Sequence, residues 1–211
     1  GFPDNVVSAR VVLPNAEIRT FSGDDLGLIA DAEGITGIIT RVTLRVRELE
    51  EEVVLGARFD EVGQLADALR DVVERELPLW SISFINPEMA RMKNERPPRM
   101  EHGKPVDDNR PRIPEAYVAV FVVPRSRAAA VEGELEAIVS AHDGALLEPE
   151  LAAHEWDERF AIMHVKRLGP SLIPTEVVVP LGALGDALGE IEDAIRLPLV
   201  VEGMVAEGDG N

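Results

Sequence analysis

Between residues 53 and 205 the chain passes three times through a strand pattern and a helix pattern, and nothing else in it limits the fold as much. Val53 to Phe59 is β-rich, and Asp60 can then cap a helix from Glu61 to Glu76. Val62, Leu65, Leu69, Val72 and Val73 recur there at the helical period. Leu79 to Ile85 is the next strand. Tyr117 to Val123 is a continuous apolar strand, followed by a helix from Ser126 to Ala141 and a short strand near Leu146. A strand around Val177 to Val179, a helix from Leu184 to Ile195 and a strand from Leu199 to Val205 make the third pass. Such a succession predicts an α+β fold, an antiparallel sheet with helices on one face. The three passes share no close sequence repeat.

The first residues follow another plan. Val6 to Leu13 and Glu17 to Phe21 read as strands joined at Pro14-Asn15, and Asp24 or Asp25 can cap a short segment from Leu26 to Ala30. Ile38 to Val46 alternates Val42, Leu44 and Val46 against Thr43, Arg45 and Arg47, the pattern of a half-buried strand. The acidic run Glu48-Leu49-Glu50-Glu51-Glu52 reads as a hinge, which divides the chain into residues 1–49 and 50–211. Gly34 and Gly37 stand just before the strand that starts at Ile38. Glycines there serve either a sharp turn or the close approach of something flat or charged.

Composition removes several classes of function. A net charge of −18 repels a phosphate backbone, so nucleic acid is not an expected partner. With no cysteine the chain holds no disulfide, thiolate metal site, cysteine nucleophile or iron–sulfur ligand. No apolar run is long enough to cross a membrane, and the expected location is cytoplasmic, with peripheral membrane association still open. Residues 91 to 114 carry five prolines and no periodicity, which predicts a long irregular loop. Seven basic residues make it locally cationic: Arg91, Lys93, Arg96, Arg99, Lys104, Arg110 and Arg112. It is either a lid or acceptor-docking segment, or a solvated insertion.

From Asp25 the stretch DLGLIADAEGITGIITRVTLRV resembles the end of the FAD-binding (PCMH-type) domain of the vanillyl-alcohol-oxidase-like, FAD-linked oxidase family. Asp31 to Gly37 stands where members close to the D-lactate- and glycolate-oxidising branch carry Gly-Ser-Glu-Gly-Thr-Leu-Gly, and it keeps Glu33, Gly34 and Gly37. The stretch DNVVSARVVLPNAEIRT from Asp4 is similar to the segment that precedes it in the family. The resemblance implies that residues 1–49 finish an FAD-binding domain in which Glu33, Gly34, Gly37, Ile38 and Ile39 line the cofactor. Gly34 and Gly37 would leave the peptide groups of Ile38 and Ile39 open to a planar ring.

Residues 50–211 resemble the family's ferredoxin-like substrate cap, with Trp156, Arg159, Glu176, Val179 and Pro180 at its marked positions. In relatives acting on 2-hydroxy acids that arginine reaches the substrate carboxylate, a role that suits a guanidinium fork. An ion pair from Arg159 to Glu155, Asp157 or Glu158 is the competing reading. Phe160 to Val165 reads as an apolar strand that would anchor it.

Met163 and Pro174 occupy places where some relatives have threonine and lysine. Met204 or Ala206 stands where relatives begin a histidine-rich metal segment, so no metal is carried over. His102, His142, His154 and His164 lack ligand spacing, and His164 reads as a core histidine. Both chain ends read as cut from something longer, the family's pyrophosphate-binding half belonging upstream, so these residues alone are expected to hold FAD poorly. The reading is part of an FAD-dependent oxidoreductase acting on a small 2-hydroxy acid, with an acceptor protein or a quinone taking the electrons. A non-catalytic partner-binding module of the same fold, or an oxidase of another alcohol, is the alternative.

Overall fold

All eight residues from Tyr117 to Pro124 are buried, which a strand achieves only when both faces of its sheet are covered. The computed structural model describes residues 2–98, 100–106, 109–160, 166, 168–169 and 171–206. They fall into two units, Gly1–Leu49 and Glu50–Asn211, each described by itself below.

In the first unit β1 (Val6–Val12) lies between β2 (Ile18–Ser22) and β3 (Ile38–Leu44), antiparallel to both. The β1–β2 turn brings Ala16 to a φ of 66°. A 3-10 turn at Gly23–Leu28 buries Leu26 against Val6, Ala9, Val11 and Phe21, which form a small core. The alternation in β3 predicts a half-buried strand, yet all seven of its residues are exposed, Ile38 at 71%. β3 is a sheet edge whose apolar side chains no described residue covers.

The second unit opens with β4 (Glu52–Phe59), α1 (Val62–Glu74), β5 (Ser81–Ile85) and α2 (Pro87–Glu95). A two-residue hairpin follows, β6 (Met100–Glu101) and β7 (Lys104–Pro105), and then β8 (Tyr117–Pro124). Completing it are α3 (Ala128–Ala141), β9 (Ala145–Leu146), α4 (Pro149–Asp157), α5 (Leu184–Ala194) and β10 (Glu202–Met204). Five strands form one antiparallel sheet in the order β10-β5-β8-β4-β9. The mixed helix and antiparallel-sheet fold is the expected one.

On one face α1, α3 and α5 bring Leu65, Leu69, Leu135, Ile138 and Leu188 onto Phe59 and Phe121. The other face is also covered, which the expectation of helices on one face did not include. There α2 and the segment before β8 pack Met89, Ala90 and Ile113 on Ile85 and Val118, with Leu147 and Leu151 beside them. Gly56 lets α4 come close, since a Cβ there would stand 2.9 Å from the Cβ of Ala152.

Local chemistry sets the element ends. Gln64 Oε1 accepts from the amides of Asp60 and Glu61, at 3.1 and 3.0 Å, so α1 starts in a capping box at Glu61 rather than on Asp60. Asn86 caps α2 by accepting from the Met89 amide at 3.0 Å, and Pro87 sits at its first turn. This buried Asn86 also accepts from the Val201 amide and donates to Glu192 Oε1 and to the Leu199 carbonyl. Tyr117 donates to the other oxygen of Glu192 at 2.5 Å, so one carboxylate joins β8, α5 and the start of α2.

Two corrections follow. Residues 91–95 of the segment read as irregular belong to α2. Residues 171–180 carry no regular structure, so the strand expected around Val177 to Val179 is absent, and Val177 and Val178 are exposed.

Candidate functional site

Arg159 lies just past the C-terminal end of α4, three residues after Trp156. That spacing puts the two side chains on one helical face. The Arg159 guanidinium stacks 3.8 Å from the centre of the Trp156 ring and 4.6 Å from that of Phe160. Its Nη1 donates to the Trp156 carbonyl at 2.6 Å, an oxygen that also accepts from the Arg159 amide at 3.3 Å. Trp156 is fixed in turn by donating its indole N–H to Glu52 Oε1 at 2.8 Å.

The competing ion pair is not formed. Glu155 is taken by Lys93 and Glu158 by Arg96, and among the described residues Arg159 has no ion pair. It is a half-buried cation resting on aromatic faces, with no carboxylate partner among the described residues. Phe160 is in a turn; residues 161–165 of the expected strand, with Met163 and His164, lie outside the described residues. Glu176 and Pro174 are on the irregular 171–180 segment and Met204 is on β10, so the structure does not gather the family-marked positions into one regular element.

In the first unit, Glu33 and Gly34 both have left-handed backbone, with φ of 51° and 77°. The turn closes through the Ile35 amide on the Ala32 carbonyl and through the Thr36 hydroxyl on the Leu28 carbonyl. A Cβ on Gly34 would meet nothing within 4 Å, so backbone conformation alone asks for glycine there. Gly37 differs. A Cβ on it would lie 2.6 Å from the Val12 carbonyl oxygen and 2.7 Å from Val11 Cγ1. Its close neighbour is the chain's own β1. Ile38 and Ile39 follow at an open sheet edge with exposed side chains.

Sequence reasoning missed a cluster of charges between α2 and α4. Lys93 and Glu155, both nearly inaccessible, form an ion pair, and Arg96 Nη1 stands 2.5 Å from Glu158 Oε2. Burial pushes the Glu155 carboxyl up, with Lys93 opposing the shift. Burial likewise raises Glu202 on β10, again against the pull of Lys93. Burial would raise Glu158 too, but its hydrogen bond and charge contact with Arg96 hold it below the ordinary glutamate value.

A cavity of about 270 Å3 opens beside this cluster, lined by Lys93, Arg96, Arg110, Arg112, His154 and Glu158. The cationic segment is pinned at its base. Asn94 donates to the Ile113 carbonyl and accepts from its amide, at 2.8 and 2.9 Å, and Arg110 donates to the Arg96 carbonyl at 2.8 Å. Burial lowers His154, and Lys93, Arg96 and Arg110 lower it further against Glu158. A signal was present. Lys93 is one of three lysines, and Glu155 and Glu158 have helical spacing on a stretch not recognised as helix.

The remaining histidines are scattered, His142 hydrogen-bonded to Asp71 and His102 in the β6–β7 turn. No group of three metal-ligating side chains occurs among the described residues, and none of their helices is long and apolar enough to cross a membrane.

At 25% identity over 226 residues, the chain is similar to "D-lactate dehydrogenase [cytochrome], mitochondrial" of Arabidopsis thaliana. The match takes in 99% of this chain and 38% of that protein, so the chain spans well under half of its relative's length. Among solved structures it resembles alkyldihydroxyacetonephosphate synthase, with a TM-score of 0.51 and 16% identity over 76% of this chain and 34% of the other. That likeness concerns the fold. The family described as "FAD linked oxidases, C-terminal domain" matches residues 48–201, which hold the antiparallel sheet as far as its last strand and α1 to α5. The chain therefore belongs to the FAD-linked oxidases, whose C-terminal domain it carries.

Proposed function

We propose that the intact protein oxidises a small 2-hydroxy acid of the D-lactate or glycolate type. In this reading residues 1–49 are the last part of the FAD-binding domain and residues 50–211 the substrate cap. FAD, when bound, supplies the hydride acceptor. The residues of the first unit fit it as one wall. Glu33 and Gly34 turn the chain without covering it, the backbone of Gly37 passes close to β1, and Ile38 and Ile39 offer apolar side chains at an open edge.

Arg159 carries the reading. A half-buried guanidinium on two aromatic rings, without a carboxylate partner among the described residues, is suited to take the carboxylate of an anionic substrate. The Trp156 ring beneath it and the Glu52 contact on that ring restrict its orientation before substrate arrives. An acceptor protein or a quinone then receives the electrons, and a cytoplasmic enzyme, free or peripherally membrane-bound, belongs to the same proposal.

The test is Arg159→Met in the full-length enzyme, assayed on several 2-hydroxy acids. Loss of a charge-assisted bidentate contact is expected to cost about 2–4 kcal/mol, roughly 30- to 1000-fold in kcat/KM. Unchanged kcat/KM on every acid would remove Arg159 from substrate binding.

A further inference from the structure

We infer that Glu52 is a positioning residue of the Arg159 site, and that through Trp156 it fixes which edge of the guanidinium meets the substrate carboxylate. That role presupposes the one proposed for Arg159. Among the described residues Glu52 has no ion pair with Arg159, so its influence passes through the Trp156 side chain between them.

Packing brings the pair together. Ala152 and Trp156, four residues apart, share a face of α4. Glu52 and Gly56, four residues apart on β4, share a face of the strand. Gly56 lets Ala152 come close, and the indole then reaches the start of β4 and donates to Glu52 Oε1 at 2.8 Å. An exposed carboxylate anchors a ring only when its own backbone is held, and here it is. Glu52 is in register with Pro124 on β8. Glu51 accepts from the Arg125 amide on its carbonyl, at 2.8 Å, and from the Arg125 guanidinium on Oε1, at 2.6 Å. Glu50 Oε1 accepts from the Ser126 amide at 2.5 Å. From Glu50 onward the acidic run is therefore tied to β8 and to the turn after it.

Trp156 holds Arg159 twice, by its ring under the guanidinium and by its carbonyl on Nη1. With Nη1 engaged there, Nε and Nη2 make no hydrogen bond among the described residues. Those two donors lie side by side in the guanidinium plane and match the two oxygens of one carboxylate. An indole free to rotate would let the stacked guanidinium swing with it. By holding the indole N–H, Glu52 keeps the Nε–Nη2 edge in one direction, so less ordering is lost when the carboxylate binds.

Steady-state kinetics of the full-length enzyme on 2-hydroxy acids test the role. Glu52→Ala is expected to raise KM about tenfold with kcat within about twofold. Trp156→Phe keeps a ring but loses the N–H, and is expected to match it. Glu52→Gln retains an acceptor for the indole and is expected to hold KM within about twofold of wild type. In an Arg159→Met background Glu52→Ala is expected to change nothing further, since the two residues act as one unit. Arg159→Met impaired with KM unaltered in Glu52→Ala and Trp156→Phe would overturn the positioning role and leave the substrate reading standing. A further tenfold loss in the double variant, or a Glu52→Gln as weak as Glu52→Ala, would do the same. Unaltered kinetics in Arg159→Met would overturn both.

Discussion

β3 and β8 are both apolar-rich strands, yet the first is exposed at every residue and the second buried at every residue. Their sequences differ less than their surroundings. β8 has β5 and β4 on its two edges and helices on both faces, while β3 has only β1. A buried face is thus a property of what arrives to cover a strand, and alternation in the strand itself states only what it could accept. Among the described residues, the second unit builds its own core from β4, β5 and β8 and the helices packed on them. Among the described residues the first buries five hydrophobic side chains and leaves Ile35, Ile38, Val46 and Leu49 in solvent.

The contrast is open to test. Phe121→Ala empties the centre of the larger core, where Phe121 is inaccessible, and should lower the opening free energy of β8 amides in hydrogen exchange by about 3–5 kcal/mol. Wild-type β3 amides should already exchange faster than those of β8. Equal protection of the two strands would erase the contrast.

Gly37→Ala probes the tightest backbone approach in the first unit. The added Cβ meets main-chain and β-branched atoms of β1, which yield little, so about 1–3 kcal/mol should be lost from β1 protection. Unaltered exchange at Val11 and Val12 would mean that β3 moves away freely, and Gly37 would then no longer be fixed by β1.

The smallest effect concerns pH. Burial raises Glu155, so ionising it disfavours the folded state. The stability of wild type relative to Glu155→Gln should fall as pH rises from the ordinary glutamate value of 4.5 through the raised folded value. Denaturant titrations at several pH values give that difference with other groups cancelled. A difference that grows with pH would mean that Lys93 outweighs the burial of its partner.

The sheet of the second unit was legible because its central strand β8 is a contiguous apolar run and α1 has a clean helical stripe from Leu65 to Val72. What escaped were elements whose stability comes from tertiary contacts. α2 has a weak stripe and several charges, and Asn86, Pro87 and a buried lysine pair hold it. α4 begins at a proline and shows its reason only when Ala152 meets Gly56. Arg159 was marked by the family resemblance, and its role toward substrate is the proposal made above. The rare lysine and the helically spaced glutamates are visible in the sequence, but the Lys93–Glu155 pairing is not, because its partners are far apart in sequence and meet only in the fold.

Asn86 implies an order of events during synthesis. Its side chain bonds to the Leu199 carbonyl and the Val201 amide, and β5 gains its outer neighbour only when β10 pairs with it. While a ribosome still holds residues beyond 195, a nascent chain carries a buried amide without those partners and a sheet with one raw edge. The α1–α3 face can already be packed by then, since its residues are all made before position 142. The residues of β10 therefore cover that edge, and until they emerge β5 offers its backbone to any neighbouring chain.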